Sequence, residues 1–372
     1  MADVETVVVG GGVIGLAIAA AAAASGQQVL LLERNSAIGR EVSSRSSEVI
    51  HAGLYYPPNS NKAKFCVSGR HRLYKFAQDN GVPCKKVGKL VVATTEAELT
   101  TLQRIAEGAR ANGVEDLHFL EPSDVKEMEP ELSCVAALLS PSSGIIDSHS
   151  LMLALEGHLT ASGGMVALNS TVERVDVLSD GEFEVRVNAG EACTIKARNI
   201  YFAAGLGMSD LSDQLPKKNG YEPPRLSYAK GHYFSLIGPA PFQRLVYPVP
   251  VEGGLGTHLT LDLQGRGRFG PDVKWIDSID YAFEDADGQL CAQFEQSIRR
   301  YWPSLPSGAL QPAYTGIRPK IYRKGEAPRD FEIHGPKQHG IPGLVALYGI
   351  ESPGLTSCLA IADHCLRIGR DA

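Results

Sequence analysis

The chain has 372 residues with a formal net charge of −6, and its 44% hydrophobic and 21% charged residues are typical of a globular protein with room for two domains. This charge argues against a nucleic-acid partner. No apolar run approaches the ~20 residues of a spanning helix, although surface contact with a membrane is left open. The seven cysteines are odd in number and show no CxxC spacing, which indicates reduced thiols in a cytoplasmic protein.

The first predicted elements are a strand, a glycine turn, a helix and a second strand that ends on an acid. This order is typical of a dinucleotide-binding unit. The alternative is a tight strand–helix turn in another kind of α/β protein. The elements occupy residues 6–9, 10–15, 16–24 and 28–32, followed by Glu33.

Each part of this unit has a role toward a dinucleotide. Gly10 permits the tight turn, Gly12 lets the backbone approach a pyrophosphate, and Gly15 lets the helix pack closely on the strand. The N–H groups at the helix start favour phosphate. Glu33 can accept hydrogen bonds from ribose hydroxyls, and its charge would repel a 2′-phosphate.

The rest of the chain alternates between periodic and punctuated segments. Helices are predicted at 62–80, 96–111, 148–162, 284–301 and 355–368, with a helix start at 121–124. Strands are predicted at 88–93, 136–139, 144–146, 166–169, 173–178, 183–187, 194–197, 199–205, 313–320 and 343–349, with strand-like segments across 227–269. A loop is predicted at 303–312 and a turn at 337–343.

Three predicted strands, at 6–9, 199–204 and 344–348, resemble one nucleotide-binding sheet although they lie far apart. A domain that binds NAD alone is usually continuous, so this split indicates an FAD enzyme. We predict an α/β and α+β fold, in which a Rossmann-type FAD-binding domain is interleaved with an antiparallel-sheet substrate domain. The FAD-binding domain is assigned to residues 1–82, 145–226 and 326–372, and the substrate domain to residues 83–144 and 227–325.

Seven stretches, in this order along nearly the whole chain, resemble the L-2-hydroxyglutarate dehydrogenase/oxidase family of the D-amino-acid-oxidase-like flavoproteins. The most specific are HAGLYY at 51–56 and GIESPGLT at 349–356. The resemblance implies FAD-dependent oxidation of a 2-hydroxy acid, with L-2-hydroxyglutarate or a close relative favoured, by hydride transfer to flavin N5. The other stretches are KFCVSG at 64–69, GKLVVAT at 88–94, YPVP at 247–250, GTHLT at 256–260 and GIRPK at 316–320.

The motif and the resemblance together give a set of predicted FAD-binding residues. The helix that begins in GIESPGLT could direct its N–H groups at the negative charge that develops on the reduced flavin. Whether His51 carries the flavin covalently is left open. The set is Gly10, Gly12, Val13, Ile14, Gly15, Glu33, Arg34, Ser47, His51, Val172, Ala204, Gly205, Gly349, Gly354, Leu355 and Thr356.

Oxidation of a 2-hydroxy acid needs a group that holds the carboxylate and a base for the hydroxyl proton. Arg318 is predicted to hold the carboxylate, because a guanidinium grips both oxygens in one plane. His258, in an alternating segment at 255–261, is the first choice for the base, since a neutral imidazole can take a proton near neutral pH. His51 is the second choice. The alternatives are a solvated arginine at a strand end and a hydrogen-bonded histidine on a sheet face.

Four further residues are predicted to line the substrate pocket: Tyr55, Tyr56, Lys230 and His232. For both tyrosines simple packing is the alternative. The remaining histidines have no metal-ligand spacing, so we predict no metal site.

Two other functions stay open at this point. The first is an amino-acid or amine oxidase on the same scaffold, and the second is a flavin-binding protein with only a partner-binding role. The electron acceptor, whether oxygen, a quinone or a carrier flavoprotein, is not indicated by any residue pattern.

Overall fold

A computed structural model describes residues 2–216, 220–250 and 256–370. The helices are α1 (Val13–Ala24), α2 (Asn61–Asp79), α3 (Leu99–Ala111), α4 (Pro122–Met128), α5 (Ser148–Ala161), α6 (Met208–Ser212), α7 (Gln289–Arg299), α8 (Pro336–His339) and α9 (Gly354–Arg370). The strands are β1 (Val4–Val9), β2 (Val29–Leu32), β3 (Val49–Ile50), β4 (Cys84–Lys85), β5 (Lys89–Ala93), β6 (His118–Leu120), β7 (Ala136–Ser140), β8 (Gly144–Ile146), β9 (Met165–Ala167), β10 (Thr171–Val177), β11 (Phe183–Asn188), β12 (Ala192–Phe202), β13 (Ser227–Leu236), β14 (Leu245–Pro248), β15 (Leu259–Leu261), β16 (Gly267–Phe269), β17 (Lys274–Ile276), β18 (Leu310–Lys320), β19 (Glu332–His334) and β20 (Leu344–Tyr348).

The first sheet carries the nucleotide-binding unit. Strands β9, β2, β1, β12 and β20 pair in this order and run parallel. The β10–β11 hairpin extends the first half of β12, and β19 lies antiparallel along β20. Helices α1, α5 and α9 pack together over this sheet in one apolar core, and the alanines of α1 allow the close approach. Strands from the start, the middle and the end of the chain therefore build one sheet, as predicted.

The second sheet is antiparallel except for one pair. Its strands are linked in the order β17, β13, β16, β15, β14, β5, β7 and β6. Strand β18 pairs with β13 along the whole length of β13. Strands β14 and β5 run parallel. Two separate segments of the chain thus share this sheet. The residue boundaries proposed for the two domains stay a prediction.

A small third sheet, made of β3, β8 and β4, lies beside the site. Strand β3 ends immediately before His51. The Thr356 hydroxyl, in the first turn of α9, accepts a hydrogen bond from the His51 N–H at 3.0 Å and donates to the Val49 carbonyl at 3.2 Å. The loop that carries His51 is thereby fixed to the start of α9.

The structure corrects several predicted boundaries. The predicted strands at 194–197 and 199–205 are one strand, β12, whose two halves pair with β11 and β20. Helix α7 begins later than predicted, because the Asp285 carboxylate accepts hydrogen bonds from Leu290 and Cys291 at the helix start. Strand β18 begins inside the predicted loop at 303–312, and α8 overlaps the start of the predicted turn at 337–343. Residues 251–255 of the predicted strand-like segments lie outside the described residues.

Candidate active site

A cavity of about 900 Å³ extends from the glycine turn to the space between the first and second sheets. It begins at the carboxyl ends of β1, β12 and β20, the edge at which parallel sheets bind their ligands. Most predicted site residues line it: Gly10, Gly12, Val13, Ile14, Glu33, Arg34, Ser47, His51, Tyr55, Tyr56, Val172, Ala204, Gly205, His258, Arg318, Gly349, Gly354 and Leu355.

The three glycines of the turn have different roles. Gly10 has φ +109°, and a Cβ there would lie 2.5 Å from the Ala203 carbonyl oxygen. A Cβ at Gly15 would lie 1.9 Å from the Gly10 carbonyl oxygen. At Gly12 the nearest atom to such a Cβ is the Ser43 Oγ at 3.1 Å. Gly10 and Gly15 therefore serve the fold, whereas Gly12 leaves room in the cavity.

Glu33 reaches the cavity directly after β2 and is only 7% exposed. Its carboxylate accepts hydrogen bonds from the Gly11 N–H at 2.6 Å and from two N–H groups of Asn35 at 2.8 and 2.7 Å. Because a carboxylate can accept about four hydrogen bonds, one direction is left for a ribose hydroxyl. Arg34 also lines the cavity and pairs with Glu41 at 2.6 Å.

Two helix N-termini open onto the cavity. At α1 the lining residues include Val13, whose N–H donates to the Ser43 hydroxyl at 3.0 Å, and at α9 they include Gly354 and Leu355. Helix starts favour anionic groups because their N–H dipoles add up. Thr356 does not line the cavity, because its hydroxyl is bonded to the backbone of Val49 and His51. It therefore positions the loop that carries His51.

The cavity lining fits a flavin dinucleotide. The glycine turn, Glu33 and the start of α1 suit the ribose and pyrophosphate, while tyrosines and the start of α9 suit the flavin ring. The hydroxyl of Tyr55 is buried and has no hydrogen-bond partner among the described residues. Since buried polar groups are normally paired, a bound molecule would satisfy this hydroxyl.

His51 lines the cavity with both ring nitrogens in contact with other side chains. Its Nε2 lies 3.2 Å from the Ser352 hydroxyl, and its Nδ1 lies 3.4 Å from the Lys89 Nζ. Burial lowers the pKa of His51 well below the ordinary value, and the charges of Lys89 and His258 lower it further. The imidazole is therefore neutral near pH 7.

Lys89, on β5, is fully buried behind His51 and does not line the cavity. It forms no ion pair within the described part of the chain. Its Nζ lies 3.9 Å from the centre of the Tyr247 ring. Burial lowers the pKa of Lys89 from 10.5 to about 7.

His258 lies just before β15 and is 5% exposed. Its ring stacks on that of Tyr247 with centroids 3.6 Å apart and an interplanar angle of 12°. Both rings line the cavity, which places His258 near the His51–Lys89 pair.

Arg318 projects from β18 into the cavity. One guanidinium N–H group donates to the Asp272 carbonyl oxygen. A Cβ at Gly231 would lie 2.5 Å from the Arg318 Nη2, so this glycine provides the space for the guanidinium. The arginine is thus a held group and not a solvated one.

A buried ion-pair cluster lies next to Arg318. The Glu351 carboxylate is 2.6 Å from the Lys320 Nζ and 3.3 Å from the Lys62 Nζ, and all three side chains are nearly buried. Burial raises the pKa of Glu351, but Lys320, Lys62 and Arg318 outweigh this effect, so its pKa is lowered. All four groups line the cavity.

Lys230 and His232 do not line the cavity, although we predicted that they contact substrate. The Lys230 Nζ pairs with Asp280 at 2.9 Å. The His232 Nδ1 lies 3.0 Å from the Asp272 carboxylate. The backbone carbonyl of the same residue, Asp272, accepts the hydrogen bond from Arg318. Alternation along β13 directs these side chains away from the site, and His232 reaches it only through Asp272.

Sequence patterns missed several lining side chains. Tyr233 faces the cavity and its hydroxyl lies 3.0 Å from the Ser47 Oγ. Tyr247 and Lys320 lie in motifs that carried the family resemblance, but no role was assigned to them. Lys89 lies in such a motif too, and a lysine in a strand of otherwise apolar residues indicates a buried cation.

Three further findings concern the described residues only. No group of three or more histidine, cysteine or acidic side chains there is arranged to hold a metal ion. No helix in those ranges is long and apolar enough to cross a membrane. The seven cysteines form no disulfide.

Comparisons with known proteins place this geometry in context. Residues 5–366 match the family model described as FAD dependent oxidoreductase. The chain is 44% identical to the mitochondrial L-2-hydroxyglutarate dehydrogenase of Arabidopsis thaliana, over 97% of this chain and 82% of that protein. It is 27% identical to the L-2-hydroxyglutarate dehydrogenase of Escherichia coli K12, over 97% and 92%.

A solved structure is similar over almost the whole chain. Dithionite-reduced L-alpha-glycerophosphate oxidase from Mycoplasma pneumoniae, with FAD bound, superposes with a TM-score of 0.86 at 26% identity, covering 98% of this chain and 94% of that one. The predicted fold class and the predicted FAD cofactor are both confirmed.

We predict that Gly12→Val folds but purifies largely without FAD. The valine side chain would enter the cavity where the pyrophosphate must approach. The fold should tolerate it, because the Ser43 hydroxyl is the only protein group near the added Cβ among the described residues. The measurement is the flavin-to-protein absorbance ratio, with circular dichroism to check folding. Gly108→Ala is the control, because a Cβ in the middle of α3 meets nothing within 4 Å. A Gly12→Val protein with full flavin content would contradict the assignment.

Proposed function

The chain belongs to the FAD-dependent oxidoreductases and, within them, to the L-2-hydroxyglutarate dehydrogenase family, and on this premise we propose that it oxidises L-2-hydroxyglutarate to the 2-oxo acid. Its cofactor is FAD, which supplies the hydride acceptor when bound. Family membership makes the chain an enzyme, so the alternative of a passive flavin-binding protein is set aside.

The observation that carries the substrate proposal is the charge at one end of the cavity. Among the described residues, three cations at this wall, Lys62, Arg318 and Lys320, face the buried carboxylate of Glu351, which leaves an excess of two positive charges among these four groups. The remaining acid at this end, Glu326, is exposed at the rim. A 2-hydroxy dicarboxylate carries two negative charges and matches this excess.

The two carboxylates of such a substrate need separate partners. Arg318 suits the carboxylate beside the reacting carbon, because its fork fixes orientation as well as position. Lys320 and Lys62 suit the distal carboxylate, since an ammonium group is a point charge that tolerates several approach directions. Glu351 keeps both lysines in place through its ion pairs with them.

The base is assigned to His51 in this proposal, with His258 as the competing residue. The sequence favoured His258, but its ring is stacked face to face on Tyr247. His51 has its Nε2 beside the cavity at Ser352, and its backbone is fixed to the start of α9. A general base must lie within hydrogen-bonding reach of the hydroxyl proton. The fixed ring of His51 at the cavity wall meets this need better than the stacked ring of His258.

The electron acceptor is proposed to be a quinone or a carrier flavoprotein rather than oxygen, because the curated relatives are named dehydrogenases. A quinone would require contact with a membrane surface. A cytoplasmic location stays a proposal, since the relatives include mitochondrial and bacterial proteins. Reoxidation of the reduced enzyme by each acceptor in turn would separate the three alternatives.

The substrate is tested by anaerobic bleaching of the flavin with a panel of 2-hydroxy and 2-amino acids. L-2-hydroxyglutarate should bleach the flavin fastest. Faster bleaching by a 2-amino acid would favour the amino-acid oxidase alternative, and no bleaching by any 2-hydroxy acid would overturn the proposal.

We predict that Arg318→Met weakens binding and slows flavin reduction together, since the same contact holds and aims the substrate. Loss of one partner of a buried charged pair costs on the order of 2–5 kcal/mol, or roughly 30-fold to several-thousand-fold. Arg318→Lys should recover only part, because an ammonium cannot hold both oxygens in a plane. The measurement is rapid-mixing flavin reduction against substrate concentration. Arg323→Met, which removes an exposed arginine outside the cavity, is the control; an equal effect there would refute the role.

We predict that Lys320→Met lowers kcat/KM for L-2-hydroxyglutarate by roughly 10- to 100-fold, below the cost of a fully buried pair because Lys62 remains. The value for L-2-hydroxybutanoate, which lacks the distal carboxylate, should change less than threefold. Lys324→Met makes the same change of net charge at an exposed position and should leave kcat/KM unchanged for both substrates. An equal loss for both substrates in Lys320→Met would show that Lys320 does not read the distal carboxylate.

We predict that His51→Asn slows flavin reduction by ~10²–10⁴, the usual cost of losing a general base, with little change in substrate affinity. His258→Asn should slow the same step by less than tenfold. The reverse order in rapid-mixing experiments would return the base to His258.

A further inference from the structure

Lys89 is a buried cationic residue without a counter-ion. It is fully buried on β5 and has no carboxylate within ion-pair distance among the described residues. An isolated ammonium is costly in such surroundings. By contrast Lys230, equally buried, is paired with Asp280 at 2.9 Å. The position of Lys89 beside His51, without an ion pair, therefore needs a functional explanation.

The groups around Lys89 do not supply a negative charge near pH 7. The Tyr55 and Tyr247 rings face its Nζ, and burial raises the pKa of both phenols. Burial also raises the pKa of the Cys66 thiol on α2 to about 12. The Arg70 guanidinium, which lowers the Cys66 pKa, adds positive charge on the same helix. The ring of His258 stacks behind Tyr247.

His51 poses a related problem as a base. Its ring is held neutral by burial, so a stable imidazolium is disfavoured in this site. A base must nevertheless take a proton from the substrate hydroxyl. Among the described residues, the group hydrogen-bonded to Nδ1 is the Lys89 amine at 3.4 Å, and it can remove a second proton at the same time.

We propose that Lys89 is the end of a proton relay, in which His51 takes the substrate hydroxyl proton at Nε2 and passes its Nδ1 proton to the Lys89 amine. The inference rests on the proposed function. Lys89 acts through His51 and touches neither substrate nor cofactor, so it is a positioning residue that also stores the proton.

The protons balance in this relay. The substrate loses one proton to Nε2, the N–H bond at Nδ1 breaks, and a new N–H bond forms on Nζ. The imidazole is neutral before and after and only changes tautomer. The positive charge appears on Lys89, where the face of the Tyr247 ring at 3.9 Å stabilises it.

The protonation of Lys89 also sets the tautomer of His51. A neutral amine accepts from Nδ1–H and leaves the Nε2 lone pair for the substrate. An ammonium donates to Nδ1 and forces the proton onto Nε2, which then cannot act as a base. Because burial lowers the pKa of Lys89 to about 7, the competent form prevails above this pH and disappears below it.

The kinetic test is anaerobic flavin reduction at saturating substrate in rapid mixing from pH 5.5 to pH 9. In the wild type the limiting rate should rise through an inflection near pH 7. Lys89→Met should lose this inflection and be slower by ~10²-fold at pH 8. Lys89→Arg should not recover the rate, because a guanidinium stays charged. Lys230→Met, which removes a paired buried lysine, should keep the inflection.

A second readout does not depend on turnover. In the holoenzyme labelled with ¹⁵N-histidine, the His51 signals, assigned from His51→Asn, should change from the Nε2–H to the Nδ1–H tautomer as the pH rises through 7. In Lys89→Met the tautomer should not change. A single His51 tautomer in the wild type across this range, an inflection that survives in Lys89→Met, or full recovery in Lys89→Arg would each overturn the relay.

Failure of the relay and failure of the proposed function give different results. If the substrate assignment is wrong, the wild-type flavin is not bleached by L-2-hydroxyglutarate, whereas the tautomer change is still observed. If only the relay is wrong, the wild type is bleached and the tautomer change is missing.

Discussion

The active site depends on the two hydrogen bonds of the buried Thr356 hydroxyl, which join His51 and Val49 to the first turn of α9. These residues are about three hundred positions apart in the sequence. Helix α9 is in turn held by α2, where a Cβ on Gly69 would lie 2.5 Å from the Thr356 carbonyl oxygen. Backbone contacts on both sides therefore set the distance between His51 and the helix start at Gly354. Without the hydroxyl, a buried N–H group and a buried carbonyl would lose their partner.

The second sheet supplies the other half of the site through its one parallel pair. Lys89 of β5 lies opposite Leu245 of β14, and Tyr247 lies opposite Val91. Side chains two positions apart on a strand share a face, so Lys89 and Tyr247 project to the same side and their contact follows from the register. His51 approaches this face from the loop after β3. The titratable pair is thus formed between the second sheet and the loop after β3, and burial of Lys89 limits the screening of its charge by water.

The sequence predicted those parts of the site that are determined locally. Gly10, Gly12, Gly15 and Glu33 lie within twenty-four residues, and their spacing alone specifies a turn, a helix start and an acid. The contact between Lys89 and His51 depends on how the loop after β3 packs against the second sheet, so no pattern along the chain encodes it. The same holds for Lys230. It was predicted to line the substrate pocket, but strand alternation and the ion pair with Asp280 direct its side chain elsewhere.

Two lysines near the cavity show how their surroundings determine their chemistry. Lys320 lies 2.6 Å from the Glu351 carboxylate, and this pairing counteracts the effect of burial on its pKa. The ion pair favours the ammonium form, which is suited to holding an anion. Lys89 has aromatic rings and an imidazole around it and forms no ion pair among the described residues. Burial therefore dominates its pKa, against a smaller opposing effect of Cys66, and lowers it to about 7, so that Lys89 can act as a base near neutral pH. If Glu351 were placed beside Lys89, the ammonium would be stabilised, Nδ1 would have to accept from it, and His51 would lose its role as a base. The absence of a counter-ion at Lys89 is therefore as much a part of the proposed chemistry as the presence of one at Lys320.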